Sequence, residues 1–182
     1  MQEFVLRDLL AESKDGEWGK GELADGLVEM LVIRGTDFES VRVGDLSGVP
    51  RRFIPKRIAD RKALRPYDLL IETAGGSKDR PTGRTLLLKL DIFRKSVLPV
   101  TCASFARFLR VDPARADAEY VFWLLQAMYE SRQLLKYHTQ HTGVARYQFT
   151  TFADNEPLVL PDVATQRRIA SILSAYDDLI EN

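Results

Sequence analysis

Hydrophobic positions follow two different rhythms along this 182-residue chain. In the first two thirds they come as short runs closed off by turn formers. Glu29–Ile33 (EMLVI), Asp68–Thr73 (DLLIET), Arg84–Leu90 (RTLLLKL), Val97–Thr101 and Phe105–Val111 each have strand length and strand composition. Gly75–Gly83 (GGSKDRPTG) interrupts two of them with residues that disfavour regular structure, so 68–90 is predicted to be a long-looped hairpin. Arg51–Ile54 is a brief strand candidate and Pro55–Leu64 a short polar helix or turn. Val5–Glu12 is expected to be a short helix or a strand-helix entry, Ser13–Gly26 an exposed loop, and Thr139–Phe152 irregular or short-stranded. The rhythm then changes. From Asp117, a candidate N-cap, to about Tyr137 the apolar residues Val121, Leu124, Leu125 and Met128 recur at helical spacing. Beyond Pro161, Ile169, Ile172, Leu173, Tyr176, Leu179 and Ile180 form one apolar stripe, with Arg167, Arg168, Asp177, Asp178 and Glu181 opposite. A stripe of this kind either packs on its own domain or pairs with another helix.

Strands clustered in the middle with one long helix after them do not alternate as a doubly wound sheet would. The expected class is α+β: a mixed, mostly antiparallel sheet domain with a flanking helix over residues 1–156. A linker and a projecting helix of coiled-coil type follow over 157–182.

Composition narrows the function classes. Lys plus Arg equals Asp plus Glu at 26 each, which argues against binding polyanions by bulk charge but leaves room for local basic patches. The single Cys102 rules out an intramolecular disulfide and suits a reducing cytoplasm. No run approaches the roughly 18 apolar residues of a membrane span. The start, MQEFVLRDLLAES, is amphipathic with early acids and unlike a signal peptide.

Catalytic patterns are weak throughout. Gly75-Gly76-Ser77-Lys78 lacks the spacing of a phosphate-binding P-loop. Neither the glycine-rich cofactor turn nor the Pro-Pro-aromatic segment of a base-modifying methyltransferase is present. Asp68 and Glu72 share a strand as nuclease carboxylates would, yet Ala74 stands where the lysine of such a site belongs. His138, His141 and Cys102 cannot make a structural zinc site, and Cys102 is expected to be a buried strand cysteine. The expectation is a binding protein with no catalytic residue, no metal and no cofactor.

Three segments could meet DNA. Arg51, Arg52, Lys56 and Arg57 crowd a stretch anchored by Phe53 and Ile54, suited to phosphate contacts or else a solvated charged face. Ser77, Lys78, Arg80 and Arg84 lie on and beside the hairpin loop, where arginine or lysine can read guanine. Thr139, Gln140, His141, Thr142, Arg146 and Gln148 form a segment unusually rich in uncharged donors and acceptors, and glutamine can pair bidentately with adenine.

The order of four stretches carries a family likeness: VIRGTDF (32–38), LRPYDLLIETAGGS through PTGRT (64–85), EYVFWLLQAMY with HTQHTGVARYQF (119–149), and PLVLPDVATQRRIASILSAYDDLIEN (157–182). Together they resemble a target recognition domain of the specificity subunit of type I restriction-modification enzymes, with the start of its central helix. That resemblance implies a non-catalytic reader of one half of a split duplex target. It implies methyltransferase (modification) and restriction subunits as partners and a cytoplasmic place of action. Family members usually carry two recognition domains separated by paired helices. With one domain here, the resemblance implies either a piece of a larger subunit or a half-subunit that pairs with a second copy through Ile169, Ile172, Leu173, Tyr176, Leu179 and Ile180. The competing readings are the recognition end of a single-chain restriction-methylation enzyme, and a docking module with no DNA role.

Overall fold

The computed structural model describes residues 1–77, 79–140 and 143–181, so the expectations for Lys78, His141 and Thr142 lie outside the described residues. In chain order the elements are β1 (Gln2–Phe4), β2 (Leu10–Asp15), β3 (Leu27–Ile33), α1 (Phe38–Arg42), β4 (Arg51–Pro55), α2 (Lys56–Lys62), β5 (Leu69–Glu72) and β6 (Thr85–Leu87). Then come α3 (Leu90–Lys95), β7 (Val100–Cys102), β8 (Ala106–Val111), α4 (Ala118–Glu130), β9 (His138–Thr139), β10 (Arg146–Tyr147), α5 (Phe149–Asn155), β11 (Leu158–Leu160) and α6 (Val163–Glu181). This is the α+β, mostly antiparallel architecture that the hydrophobic pattern implies.

The central sheet runs β2-β8-β5-β6 and is antiparallel throughout. Its β5–β6 ladder pairs Leu69 with Leu87 and Ile71 with Thr85, as the sequence reading of 68–90 expects. Successive strand residues point to opposite faces. Leu69 and Ile71 therefore face a core built with Val121, Phe122, Leu125 and Met128 of α4 and Phe149 and Phe152 of α5. Leu70 faces a second core with Leu86, Phe108, Phe38, Val41 and Ile92. Burial on both faces explains why β5 reads as a nearly unbroken apolar run despite antiparallel neighbours.

A second sheet, β4-β3-β7, contains the parallel pair β3–β7. The tight turn from Ala103 to Ala106 joins the sheets. Ala103 N donates to Ile33 O at 2.8 Å, and Ala106 N to Ala103 O at 2.9 Å. Beyond β2 the chain crosses the same junction, with Gly16 N on Ala106 O and Glu17 N on Cys102 O. Cys102 is fully buried, and burial pushes its thiol up to about 12. Such a thiol is not a nucleophile at neutral pH.

Several boundaries differ from the sequence reading. Within Val5–Glu12 a 3-10 turn (Leu6–Leu9) leads into β2, which runs on to Asp15 where a loop is expected; its polar ESKD stretch lies at a sheet edge and carries little apolar signal. The helix expected to reach Tyr137 ends at Glu130. Arg132 takes a left-handed conformation (φ 61°), and a 3-10 turn covers Gln133–Tyr137. Its start is as expected, with the Asp117 carboxylate accepting from Tyr120 N at 3.0 Å. Within Thr139–Phe152 the chain forms the β9–β10 hairpin and enters α5.

The terminal helix does not project freely along its length. Its narrow small-and-polar face packs on α4: Ala170 is buried, Gln166 Oε1 accepts from Asp117 N at 2.9 Å, and Trp123 Nε1 donates to Ser174 Oγ at 3.1 Å. Asp177 pairs with Arg42, and Asp178 with Lys89 at 2.7 Å. The apolar stripe faces away. Tyr176, Leu179 and Ile180 are 64%, 75% and 84% exposed, and Ile169, Ile172 and Leu173 are exposed too.

Candidate nucleic-acid interface

The hairpin loop is held at its base by an ion pair. Glu72 ends β5 with a buried carboxylate, and Arg84 approaches it with two hydrogen bonds: Nε to Oε2 at 3.0 Å and Nη2 to Oε1 at 2.8 Å. Arg84 Nη2 also donates to Gly35 O, and its guanidinium lies 5.6 Å from the Phe38 ring centre. Burial pulls the guanidinium pKa down, but the bonds and charge of Glu72 leave it above its ordinary value. With a side chain only 13% exposed, Arg84 is a brace. Reaching DNA from this position would leave the Glu72 carboxylate buried without its partner, which weighs against the groove contact expected of Arg84.

The rest of the loop is held from two sides. Tyr129 Oη, from α4, donates to Pro81 O at 2.9 Å. On the other side Thr82 N donates to His138 Nδ1 at 3.1 Å, which fixes the loop to β9. Gly83 (φ +101°) lies against the Tyr147 ring, where a Cβ would come within 3.0 Å of ring carbon. The Ser77–Arg80 turn closes itself: Ser77 N bonds Arg80 O at 2.8 Å and Arg80 N bonds Ser77 Oγ at 3.1 Å. Both side chains stand at the surface, Arg80 in an exposed pair with Glu39 at 2.7 Å. Exposed pairs of this kind contribute little and exchange readily for other anions.

The third segment runs alongside. Tyr147 N donates to Thr73 O at 2.9 Å, Ala74 bridges Arg146, and Gly75 N donates to Ala145 O at 3.1 Å. The β9–β10 hairpin thus extends the sheet past the end of β5. On the opposite flank Thr73 N and Ala74 N both donate to Phe105 O, at 2.8 and 3.2 Å. Residues 73–75 therefore run between Phe105 and 145–147. Gln140, Arg146 and Gln148 are exposed; Thr139 is half-buried, its hydroxyl bonded to Arg146 O at 3.3 Å. Gln140 Nε2 reaches Gly143 O at 3.4 Å, and Arg146 has no ion-pair partner among the described residues.

The basic segment Arg51–Arg57 lies elsewhere, on the outer strand of the second sheet and the start of α2. Arg51 is exposed, 3.6 Å from Glu29. Lys56 pairs with Asp60 at 3.4 Å, and Arg57 is exposed with no ion-pair partner among the described residues. Arg52 is half-buried. It stacks 4.6 Å from the Trp18 ring centre and donates to the Trp18 and Gly19 carbonyls. Those bonds tie Arg52 to the loop after β2 and compete with the phosphate contact expected of it. The structure unites the hairpin loop with the Thr139–Gln148 segment and leaves the Arg51–Arg57 segment across the second sheet.

The sequence reading missed Phe105, an exposed ring in the turn where the two sheets meet. An aromatic in a four-residue turn between two strands was the available signal. A cleft of about 450 Å³ between α1, the hairpin loop and the end of α4 is lined by Arg42, Arg80, Arg84 and Arg132. Arg42, Arg80 and Arg84 are paired with Asp177, Glu39 and Glu72, so the cleft is no concentrated anion trap. Asp68 and Glu72 are both buried and engaged by arginines, Asp68 by Arg110 at 2.7 Å. Among the described residues no three His, Cys, Asp or Glu side chains group as metal ligands, and no helix is long and apolar enough to cross a membrane.

Neither the protein-family models nor the curated proteins contain a match to this chain. Solved structures do. The chain is similar over its full length to the type I restriction-modification system S subunit from M. genitalium, at 16% identity and a TM-score of 0.64, covering 40% of that chain. It is similar over 98% of its length to the HsdS subunit from Thermoanaerobacter tengcongensis, at 16% identity and a TM-score of 0.61, covering 42% of that chain. A third likeness is to a structure that describes complex assembly and conformational transition of the type I R-M system (15% identity, TM-score 0.63, 99% of this chain and 43% of that one). At these identities the likeness is one of fold. The chain spans about two fifths of the length of the structures it matches.

Proposed function

We propose that this chain is a DNA-sequence recognition unit of a type I restriction-modification specificity subunit, reading one half of a split duplex target. Residues 1–156 are the reader. Residues 157–182 are the linker and the start of a helix that pairs with a second recognition unit or a second copy. Methyltransferase and restriction subunits supply the chemistry, and the chain itself makes and breaks no bonds. Its place of action is the cytoplasm, where such partners meet DNA.

The observation that carries this reading is the joining of the hairpin loop to the β9–β10 hairpin. Backbone bonds from Ala74, Gly75 and Tyr147 put Ser77, Gln140 and Arg146 on two fused loops at one end of the central sheet. A rigid frame that offers adaptable hydrogen-bonding groups and, in Arg146, a guanidinium without an ion-pair partner among the described residues suits base-edge contacts, while Arg57 and Arg51 suit phosphate contacts. The full-length likeness in fold and the exposed stripe of α6 support the same reading.

The test is competition among duplexes at rising salt. Phosphate contacts lose strength steeply with salt, whereas base contacts keep the preference among sequences. Retention of one sequence class at moderate salt supports the proposal. Equal retention of every duplex contradicts it.

A further inference from the structure

We infer that Phe105 supplies an apolar base contact, packing its ring against a thymine C5-methyl group in the major groove; this rests on the DNA-reading proposal above. Phe105 is 48% exposed at the centre of the Ala103–Ala106 turn, and it belongs to none of the buried clusters. A phenylalanine so exposed forgoes much of the stabilisation that burial would give it. Yet its backbone is held on both sides of the turn. The Phe105 carbonyl accepts from both Thr73 N and Ala74 N, and the turn is closed by Ala106 N on Ala103 O.

Its neighbours leave open surface beside the ring. Gly75, beside it, takes a φ of +104°, and a Cβ there would come within 3.8 Å of Phe105 Cδ2. The glycine leaves a bare strip of backbone between the ring and the next strand, where Ala74 bridges exposed Arg146. Phe105, the open backbone of Gly75 and exposed Arg146 thus lie on three adjacent chain segments. Base edges in the major groove present a matching alternation of methyl groups and hydrogen-bonding atoms. The bonds to the Phe105 carbonyl fix the turn, and the half-covered ring offers apolar surface beside the open backbone of Gly75. Its partial burial favours contact with a methyl group over insertion between stacked bases, which needs a side chain standing clear of the surface.

The experiment uses the full chain and a duplex selected from a random pool, with each thymine replaced in turn by uracil to remove the methyl group alone. Wild type is expected to lose about fourfold in affinity at one thymine, the worth of one buried methyl-sized group. Phe105→Ala is expected to bind the unmodified duplex correspondingly less well and to be indifferent to that uracil. Phe105→Leu, which keeps an apolar surface, is expected to retain part of the sensitivity. Arg57→Ala serves as the control for a phosphate contact, weakening all duplexes alike while keeping the uracil effect. Wild-type affinity and unchanged uracil sensitivity in Phe105→Ala overturn the inference, as does loss of affinity with no uracil effect in the wild type. Failure of the wild type to select any sequence overturns the DNA-reading proposal as well.

Discussion

The amide of Gly75 donates to the carbonyl of Ala145 at 3.1 Å, joining two loops separated by seventy residues of chain into one surface. Gly75 holds this position with a φ of +104°, which side chains rarely adopt. Gly75→Val is expected to strain the junction by roughly 1–3 kcal/mol. Amide hydrogen exchange should report it: protection is lost at Tyr147 and Gly75 while the α4 amides keep theirs. Unchanged protection at Tyr147 would mean the two loops do not depend on each other.

Arg84 and Arg57 separate support from contact. Removing Arg84 leaves the buried Glu72 carboxylate unmatched, and Arg84→Ala is expected to cost about 3–5 kcal/mol of stability. Arg57→Ala is expected to leave the melting temperature alone. Under the proposed reading it lowers duplex affinity for all sequences and reduces the salt slope by about one. Thermal melts beside salt titrations of both variants check this. A stable Arg84→Ala protein would remove the case for a brace.

The docking of α6 rests on few atoms. Gln166 is buried, accepting from Asp117 N and donating to Pro161 O at 2.9 Å. Gln166→Ala orphans the Asp117 amide and is expected to cost about 1–3 kcal/mol. Because Trp123 donates to Ser174 Oγ, loosening of the helix should also change indole fluorescence. A variant with wild-type fluorescence and stability would show that α6 is held by other contacts.

Acid should loosen the base of the second loop. Burial raises the Glu156 carboxyl, but hydrogen bonds from Lys136, Tyr137 and Gln133 outweigh it and leave the group below its ordinary value of 4.5. A carboxylate held low in the folded state contributes stability above its unfolded pKa, lost as pH falls through the folded value. Urea midpoints are expected to drop from about pH 6 to about pH 3.5, and by less in Glu156→Gln. Equal acid sensitivity in both proteins would assign the effect to other carboxylates.

The sequence disclosed what local chemistry decides. Turn formers between two apolar runs mark the β5–β6 hairpin, and Asp117 marks the start of α4. The stripe from Ile169 to Ile180 is exposed on α6 as its spacing suggests. Features set by distant partners were hidden. Arg84 and Arg52 look like surface cations until Glu72 and Trp18 are found against them. The packing of α6 through Gln166, Ala170 and Ser174 was obscured because the stronger apolar signal lies on the helix's other side. The convergence of the two loops depends on pairing Ala74 with Arg146, which no periodicity encodes.

The most direct test of the central claim, that the two joined loops face the bases, is photo-crosslinking to a selected duplex. A photoreactive residue would be placed at exposed Ser77, at exposed Gln140, or at exposed Ala127 of α4. The account expects adducts from Ser77 and Gln140 on bases within the same few base pairs, and none from Ala127. Base adducts from Ala127, with neither loop position reacting, would contradict it.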